Sequence, residues 1–263
     1  MITAANPYVP EIVRASGFRM ETEDTFTISF DRENTGHAGQ FFMVSRAGIG
    51  ESAISIASGH GKRLEFSIRA VGSVTRSIMN EPYLPTGLRG PFGNSWPWRG
   101  YDSITAVAGG IGILPIRSLV EEMDAEGSSS RLTVLYGARS PSDIVYSDLL
   151  ENWRKMVDFR ITVDRGDANW NGKVGVVTTL ISDIKYTGSS AAFVIGPPVM
   201  MKFSVIRLKE IGFMDENIFL SLERRMECGI GVCGHCNIGR FYTCEDGPIF
   251  RYSDVRNEPE LFL

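Results

Sequence analysis

Ile104-Thr-Ala-Val-Ala108 runs straight into Gly109-Gly-Ile-Gly112, and a helical pattern from Leu114 to Glu126 follows and stops at Gly127. A short, nearly continuous apolar run suits a strand covered on both faces, as in a parallel sheet between helices. Leu119, Val120 and Met123 give the helix its apolar stripe, and Pro115 sits near its start, where a missing N–H costs nothing. Strand, glycine turn and helix are the parts of a phosphate-binding βα unit. Small residues allow close approach, and the helix N-terminus favours an anion. Taken alone, such a turn is equally a tight strand-to-helix connection.

Further along, the same pattern repeats. Leu132–Tyr136, Phe159–Val163 and Ala192–Ile195 read as buried strands, and a second glycine turn, Gly196-Pro-Pro-Val-Met200, leads into a helix containing Phe203 and Ile206. Ligands of such sheets lie beyond the carboxyl ends of the strands, where both turns fall. An NAD-specific site often places Asp or Glu at the end of the second strand; here the sequence is Gly137-Ala-Arg139-Ser140. The planar, charged fork of Arg139 suits a 2′-phosphate and favours NADP(H) over NAD(H). Arg139 as a solvated surface residue is the plain alternative.

Towards the N-terminus the period changes to two. Phe26, Ile28 and Phe30 alternate with Thr25, Thr27 and Ser29, and Leu64, Phe66 and Ile68 repeat the pattern. Alternation of this kind predicts half-buried antiparallel strands. Gln40–Ser45 and Ile54–Ala57 fit the same class, and no convincing amphipathic helix is expected before residue 110. A small antiparallel β-barrel satisfies these strands, since closure removes exposed edges.

All four cysteines lie at the other end, as Cys228-Gly-Ile-Gly-Val-Cys233-Gly-His-Cys236 and Cys244. C-x4-C-x2-C followed by a fourth Cys is the plant-type ligand spacing of a 2Fe–2S cluster. Gly229, Gly231 and Gly234 would let the loop curl and aim backbone N–H groups at the sulfurs. A zinc site more often pairs two short knuckles across a longer gap. Disulfides suit the spacing less well, because the four cysteines cluster instead of stapling the chain. His235 reads as a loop residue near the cluster edge.

The chain has 263 residues, enough for two compact domains and a small cysteine-bearing segment. A net charge of −4 with both signs mixed, and no basic patch among aromatics, give no expectation of nucleic acid. Met1-Ile-Thr-Ala-Ala-Asn-Pro lacks a charged and apolar leader, and no run is long enough to span a bilayer. A cytoplasmic protein is expected.

The order of these parts resembles the ferredoxin–NADP⁺ reductase-like electron-transfer subunits, and within them the gamma subunits of sulfhydrogenases, the NADP-reducing NiFe hydrogenases. The corresponding subunits of anaerobic sulfite reductase and of dihydroorotate dehydrogenase are related. Ser221–Gly239 carries the resemblance most specifically, with Gly39–Ser45, Gly72–Thr75, Leu88–Asn94, Gly109–Gly112, Tyr136–Arg139, Thr162–Gly166 and Gly196–Met200. The resemblance implies an FAD-binding β-barrel over 1–99, an NAD(P)-binding α/β domain over 100–222 and a 2Fe–2S segment over 223–263. It implies Ile54, Ser55 and Ile56 beside the isoalloxazine, with Ser55 near its reactive nitrogen. Gly72, Ser73, Val74 and Thr75 would hold the pyrophosphate. Gly110, Gly112, Asp164, Arg165 and Gly196 would line the nicotinamide nucleotide site, and Cys228, Cys233, Cys236 and Cys244 would bind the cluster. Relatives commonly have Pro before the Ile-Ser-Ile segment and an upstream Arg, where this chain has Ala53 and Glu51-Ser52; many have Cys where it has Ile195. The implied function is a relay between NAD(P)H, FAD, the cluster and a partner subunit of a NiFe hydrogenase or sulfur/sulfite reductase complex. The alternatives are a dihydroorotate dehydrogenase subunit and a zinc-bound interaction module.

Overall fold

The computed structural model describes residues 6–262. Residues 1–5, which begin the run expected to carry no leader, lie outside the described residues.

The N-terminal part is two antiparallel sheets wrapped round one core. Its strands are β1 (Glu11–Val13), β2 (Ala15–Met20), β3 (Thr25–Glu33), β4 (Phe41–Arg46), β5 (Gly50–Ser55), β6 (Arg63–Arg69) and β7 (Thr86–Phe92). They pair in the orders β1-β7-β4-β5 and β2-β3-β6. Register places Phe26 opposite Ile68 and Ile28 opposite Phe66, so the alternating apolar residues meet inside with Phe30, Phe42 and Leu64. The strands are not half-buried as the alternation predicts. Thr25, Thr27 and Ser29 are also covered, with Thr27 only 6% exposed. Thr27 Oγ1 and Ser67 Oγ lie 2.7 Å apart, and Tyr146, from outside the barrel, donates its hydroxyl to Ser67 Oγ at 2.5 Å. A polar face can be buried when its hydroxyls satisfy one another.

A helix also occurs where none was expected. α1 (Ser73–Asn80) closes one end of the barrel, with Val74 and Ile78 packed in its core. One i,i+4 pair over two turns is a faint periodic signal.

The second part is a seven-stranded sheet built from β8 (Ser103–Gly109), β9 (Arg131–Ala138), β10 (Asp158–Val163), β11 (Lys173–Val174), β12 (Ser190–Ile195), β13 (Ile218–Ser221) and β16 (Ile249–Arg251). Two short strands, β14 (Asn237–Ile238) and β15 (Phe241–Tyr242), form a separate hairpin. The sheet order is β11-β10-β9-β8-β12-β13-β16, parallel except for the last pair. Helices α2 (Ile113–Ala125), α3 (Leu150–Met156), α4 (Pro198–Glu210) and α5 (Tyr252–Val255) accompany it. Ala106, Val134 and Phe193 face one core, and Val107, Leu135 and Val194 face the other. That two-sided burial explains the unbroken apolar runs.

The parts are stitched together by polar contacts. Buried Glu122 of α2 accepts the Ala38 N–H at 2.9 Å, and Glu121 accepts the Gly59 N–H at 3.0 Å. Asn94, just after β7, donates to the carbonyls of Asp246 and Ile249 and accepts the Ile249 N–H, each at 2.9 Å. The cysteine segment is therefore no free tail, since β16 extends the sheet antiparallel to β13. Among the described residues no helix is long and apolar enough to cross a membrane.

Candidate cofactor sites

Both glycine turns lie at the carboxyl ends of adjacent strands and touch one another. A Cβ on Gly112 would stand 2.5 Å from the Ile195 carbonyl oxygen, and one on Gly196 would stand 3.0 Å from the Gly109 nitrogen. Before them opens a cavity of about 970 Å³, lined by Gly110, Gly112, Arg139, Asp164 and Gly196 among others. Arg139 is exposed at the end of β9. Its carbonyl accepts the Arg165 N–H at 3.1 Å, and the Asp164 N–H bonds the Ala138 carbonyl at 2.9 Å, so the ends of β9 and β10 stay in step. Arg165 itself is exposed and lies outside the cavity lining.

A second cavity, about 240 Å³, opens between the barrel and the sheet. Ile54, Ser55 and Thr75 line it, with Phe41, Ala53 and Met226 on one wall. Ile56 is elsewhere: it lies just past the end of β5 and is fully buried in the barrel core. Gly72 and Ser73 are exposed at the start of α1, and Val74 packs inwards. The Gly72 N–H donates to Thr75 Oγ1 at 3.0 Å, which leaves the first-turn N–H groups of α1 open to an anion.

The cysteine loop lies against the barrel. Cys236 and Cys244 are buried with Phe41 and Met43, and Cys233 is exposed. Gly229, Gly231 and Gly234 have φ of 75°, 73° and 77°. The resulting curl points backbone N–H groups at sulfur. Gly231 donates to Cys244 Sγ at 3.1 Å, and Ile230 and Val232 to Cys228 Sγ at 3.4 Å. Backbone N–H groups, with His235 first and Cys228 next, hold the Cys233 thiol below its usual value; burial pushes Cys244 up to about 12. None of the four is in a disulfide. Among the described residues no three His, Cys, Asp or Glu side chains converge on a single metal-sized point. Cys236 Sγ instead lies 3.3 Å from Cys244 Sγ, with Cys228 adjoining Cys233. Four sulfurs in two pairs suit two irons sharing a Cys₄ set; zinc wants all four around one point. The donor set, with its N–H···S bonds, fits a 2Fe–2S cluster.

Comparison with known proteins bears on the same segments. The family model of the iron-sulfur cluster binding domain of dihydroorotate dehydrogenase B matches residues 223–256, and that of the oxidoreductase NAD-binding domain matches residues 106–205. Sulfhydrogenase 1 subunit gamma of Pyrococcus furiosus is 35% identical over 262 residues, covering 92% of this chain and 89% of that protein. The chain belongs to the ferredoxin–NADP⁺ reductase-like family of electron-transfer subunits. Another member, the probable dihydroorotate dehydrogenase B (NAD(+)) electron transfer subunit of Thermococcus kodakarensis, is 33% identical, covering 81% of this chain and 83% of that one. The fold of the family is shared by the NADH-dependent reduced ferredoxin-NADP oxidoreductase structure, at TM-score 0.76 and 23% identity over 98% of this chain and 94% of the other. A ferredoxin NADP⁺ reductase from Neisseria gonorrhoeae, solved with FAD and NADP, superposes at TM-score 0.67 with 18% identity over 80% and 97%.

Sequence reasoning missed the residues common to both cavities of this reductase-like chain: Arg69, Ile111, Glu223 and Arg224. Glu223 is open to the cleft, yet protein surrounds its carboxyl closely enough that desolvation raises it above the usual range. Its signal was present, since Glu223 and Arg224 lie in the most specific stretch of the sequence, Ser221–Gly239. Arg69 is one more charge at a strand end, with nothing local to mark it.

Proposed function

We propose that the chain passes electrons among NAD(P)H, FAD and a 2Fe–2S cluster, and between the cluster and a redox partner subunit in the cytoplasm. The observation that carries this reading is contiguity. The two cavities share Arg69, Ile111, Gly112, Glu223 and Arg224, and Phe41, Ala53 and Met226 both line the smaller cavity and pack against Cys236 and Cys244. One layer of side chains thus separates each station from the next. When bound, FAD exchanges electron pairs with the nicotinamide and single electrons with the cluster. The chain's own part is to bind and orient. Ile54 and Ser55 would flank the flavin ring. The N–H groups of Ser73, Val74 and Thr75 would take its pyrophosphate, with Gly72 holding the turn through its own N–H bond to Thr75 Oγ1. Gly110, Gly112 and Gly196 would admit the nicotinamide nucleotide, Arg139 and Asp164 would meet its ribose, and Arg165 would act through its N–H bond to Arg139. No side-chain acid or base is required for hydride transfer.

The resemblance to a sulfhydrogenase gamma subunit supports a NiFe hydrogenase or sulfur/sulfite reductase complex as the partner. The match of residues 223–256 to the dihydroorotate dehydrogenase B segment favours a second reading, a flavoprotein partner that acts on dihydroorotate. Co-purification with one or the other partner decides between them.

An anaerobic absorbance spectrum of the purified chain, before and after NADPH, tests the relay. Flavin bands with a cluster shoulder, bleached by NADPH, are expected; a colourless, zinc-containing protein overturns the reading. Arg139→Ala tests the nucleotide preference. Losing a charge-assisted hydrogen bond costs about 1.5–3 kcal/mol, so NADPH binding should weaken about tenfold to a hundredfold while NADH changes little. An equal loss for both nucleotides would remove Arg139 from the site.

A further inference from the structure

We propose that Arg89, with Glu51 as its counter-charge, fixes the Cys228 end of the cluster loop and sets the electrostatic environment of the cluster. The inference rests on the 2Fe–2S reading above. Arg89 lies in β7, only 7% exposed, next to Leu88 of the barrel core. A guanidinium has five N–H donors in a rigid fork. All five are used. Nε donates to Glu51 Oε1 at 2.8 Å and Nη2 to Glu51 Oε2 at 2.6 Å. Nη1 and Nη2 each donate to the Cys228 carbonyl at 3.1 Å, and Nη1 also donates to the Pro7 carbonyl at 2.8 Å. The guanidinium carbon stands 5.8 Å from the Phe92 ring centre.

Two consequences follow. No donor of Arg89 remains for another ligand, so its role is inside the protein. The first cysteine of the loop is held from the barrel side, by a residue far from it in sequence, and Gly229 then follows with a left-handed φ against Met43. Glu51, which stands near the place where relatives commonly carry an upstream Arg, is thereby explained: it compensates a buried cation that would otherwise be unpaired. Arginine stays charged at any working pH, so the fixed charge beside Cys228 is permanent.

Adding an electron makes the cluster more negative. A fixed cation nearby stabilises the reduced form and a carboxylate opposes it, and both effects are strong where solvent is excluded. Arg89 and Glu51 should therefore act on the reduction potential with opposite signs, which a merely structural pair would not do. Arg89 is a positioning residue in this scheme, since it acts through the Cys228 backbone and through its field.

The test is an EPR-monitored redox titration of the purified holoprotein, with iron measured per chain. Arg89→Met should shift the cluster potential negative and Glu51→Gln should shift it positive. Arg89→Lys keeps the charge but loses the fork, so it should leave the potential near that of the unmodified chain while iron is lost several-fold faster on dilution. Shifts of the same sign in Arg89→Met and Glu51→Gln, or none in either, overturn the proposal. Should Arg89→Met fail to load iron, Glu51→Gln and Arg89→Lys carry the test, and an unshifted potential in Glu51→Gln overturns it. A colourless unmodified chain would instead remove the cluster reading itself, which separates the two failures.

Discussion

The cysteine loop and the nucleotide turns are both built on glycine, but for different physical reasons. Gly234 in the cysteine loop has φ of 77°, and nothing lies within 4 Å of where its Cβ would stand. Gly112 in the nucleotide turn has an ordinary φ of −60°, yet its Cβ would meet the Ile195 carbonyl oxygen at 2.5 Å. The first position needs left-handed backbone and has room to spare. The second needs room and has no demand on handedness. A sequence writes both as Gly, and only the fold separates them.

Substitution separates them in the laboratory as well, and the larger effect belongs to the crowded site. Gly112→Ala must push apart two backbone turns, neither of which is the end of a flexible side chain. A cost of about 3 kcal/mol is expected, as for overpacking a tight interior, and nucleotide binding should fall with it; denaturant unfolding and NADPH titration measure the two. Gly112→Asn should be no better than Gly112→Ala, because Asn brings the same Cβ. A tolerated Gly112→Ala would break the distinction.

At Gly234 the expected loss is smaller and of another kind. A left-handed alanine costs about 1–2 kcal/mol, to be read as faster loss of cluster absorbance on mild heating. Gly234→Asn should recover part of that loss, because Asn tolerates left-handed backbone better than Ala does. If Asn and Ala behaved alike, handedness would not be what Gly234 provides.

The same contrast explains what was legible in the sequence. The parallel strands were readable because Ala106, Val107, Val134 and Leu135 are apolar on both faces, a signature that needs no partner to be recognised. The cysteines were readable because all four fall within one short run, at the spacing of a 2Fe–2S ligand set. Helix α1 was not, since Val74 and Ile78 are its two buried apolar residues and one i,i+4 pair is a faint signal. The buried hydroxyl face of β3 was not either: Thr25, Thr27 and Ser29 look solvent-facing in the sequence and are covered in the fold, where Thr27 meets Ser67 and Ser67 meets Tyr146. Ile56 shows the limit of reading a run as a unit, because β5 ends at Ser55 and the next residue turns into the barrel core while Ile54 and Ser55 line the cavity. Arg69 and Arg89 gain their meaning only from residues distant in sequence. Short-range pattern reports faces and turns; it is silent on which strand end meets which loop.

Tyr146 sharpens the comparison, because it takes a left-handed conformation, φ of 60°, without being glycine. Its backbone strain is of the order of 1–2 kcal/mol and has to be held by contacts. Those contacts are visible: the ring is fully buried against Trp153, the Arg117 guanidinium lies 5.4 Å from its centre, and the hydroxyl reaches Ser67 of the barrel. Burial holds the phenol above its usual range, so the hydroxyl remains a donor. Tyr146→Phe keeps the ring and removes only that hydrogen bond. Ser67 Oγ still has Thr27 Oγ1 at 2.7 Å, so no buried group is orphaned and the loss should be about 1 kcal/mol in denaturant unfolding. Tyr146→Gly should be the worse variant although it frees the backbone, since losing a buried aromatic costs about 3–5 kcal/mol, more than the strain it relieves. Were Tyr146→Gly the more stable of the two, glycine's handedness would outweigh packing here, and the loop beyond Arg139 would follow the rule of the cysteine loop instead of its own.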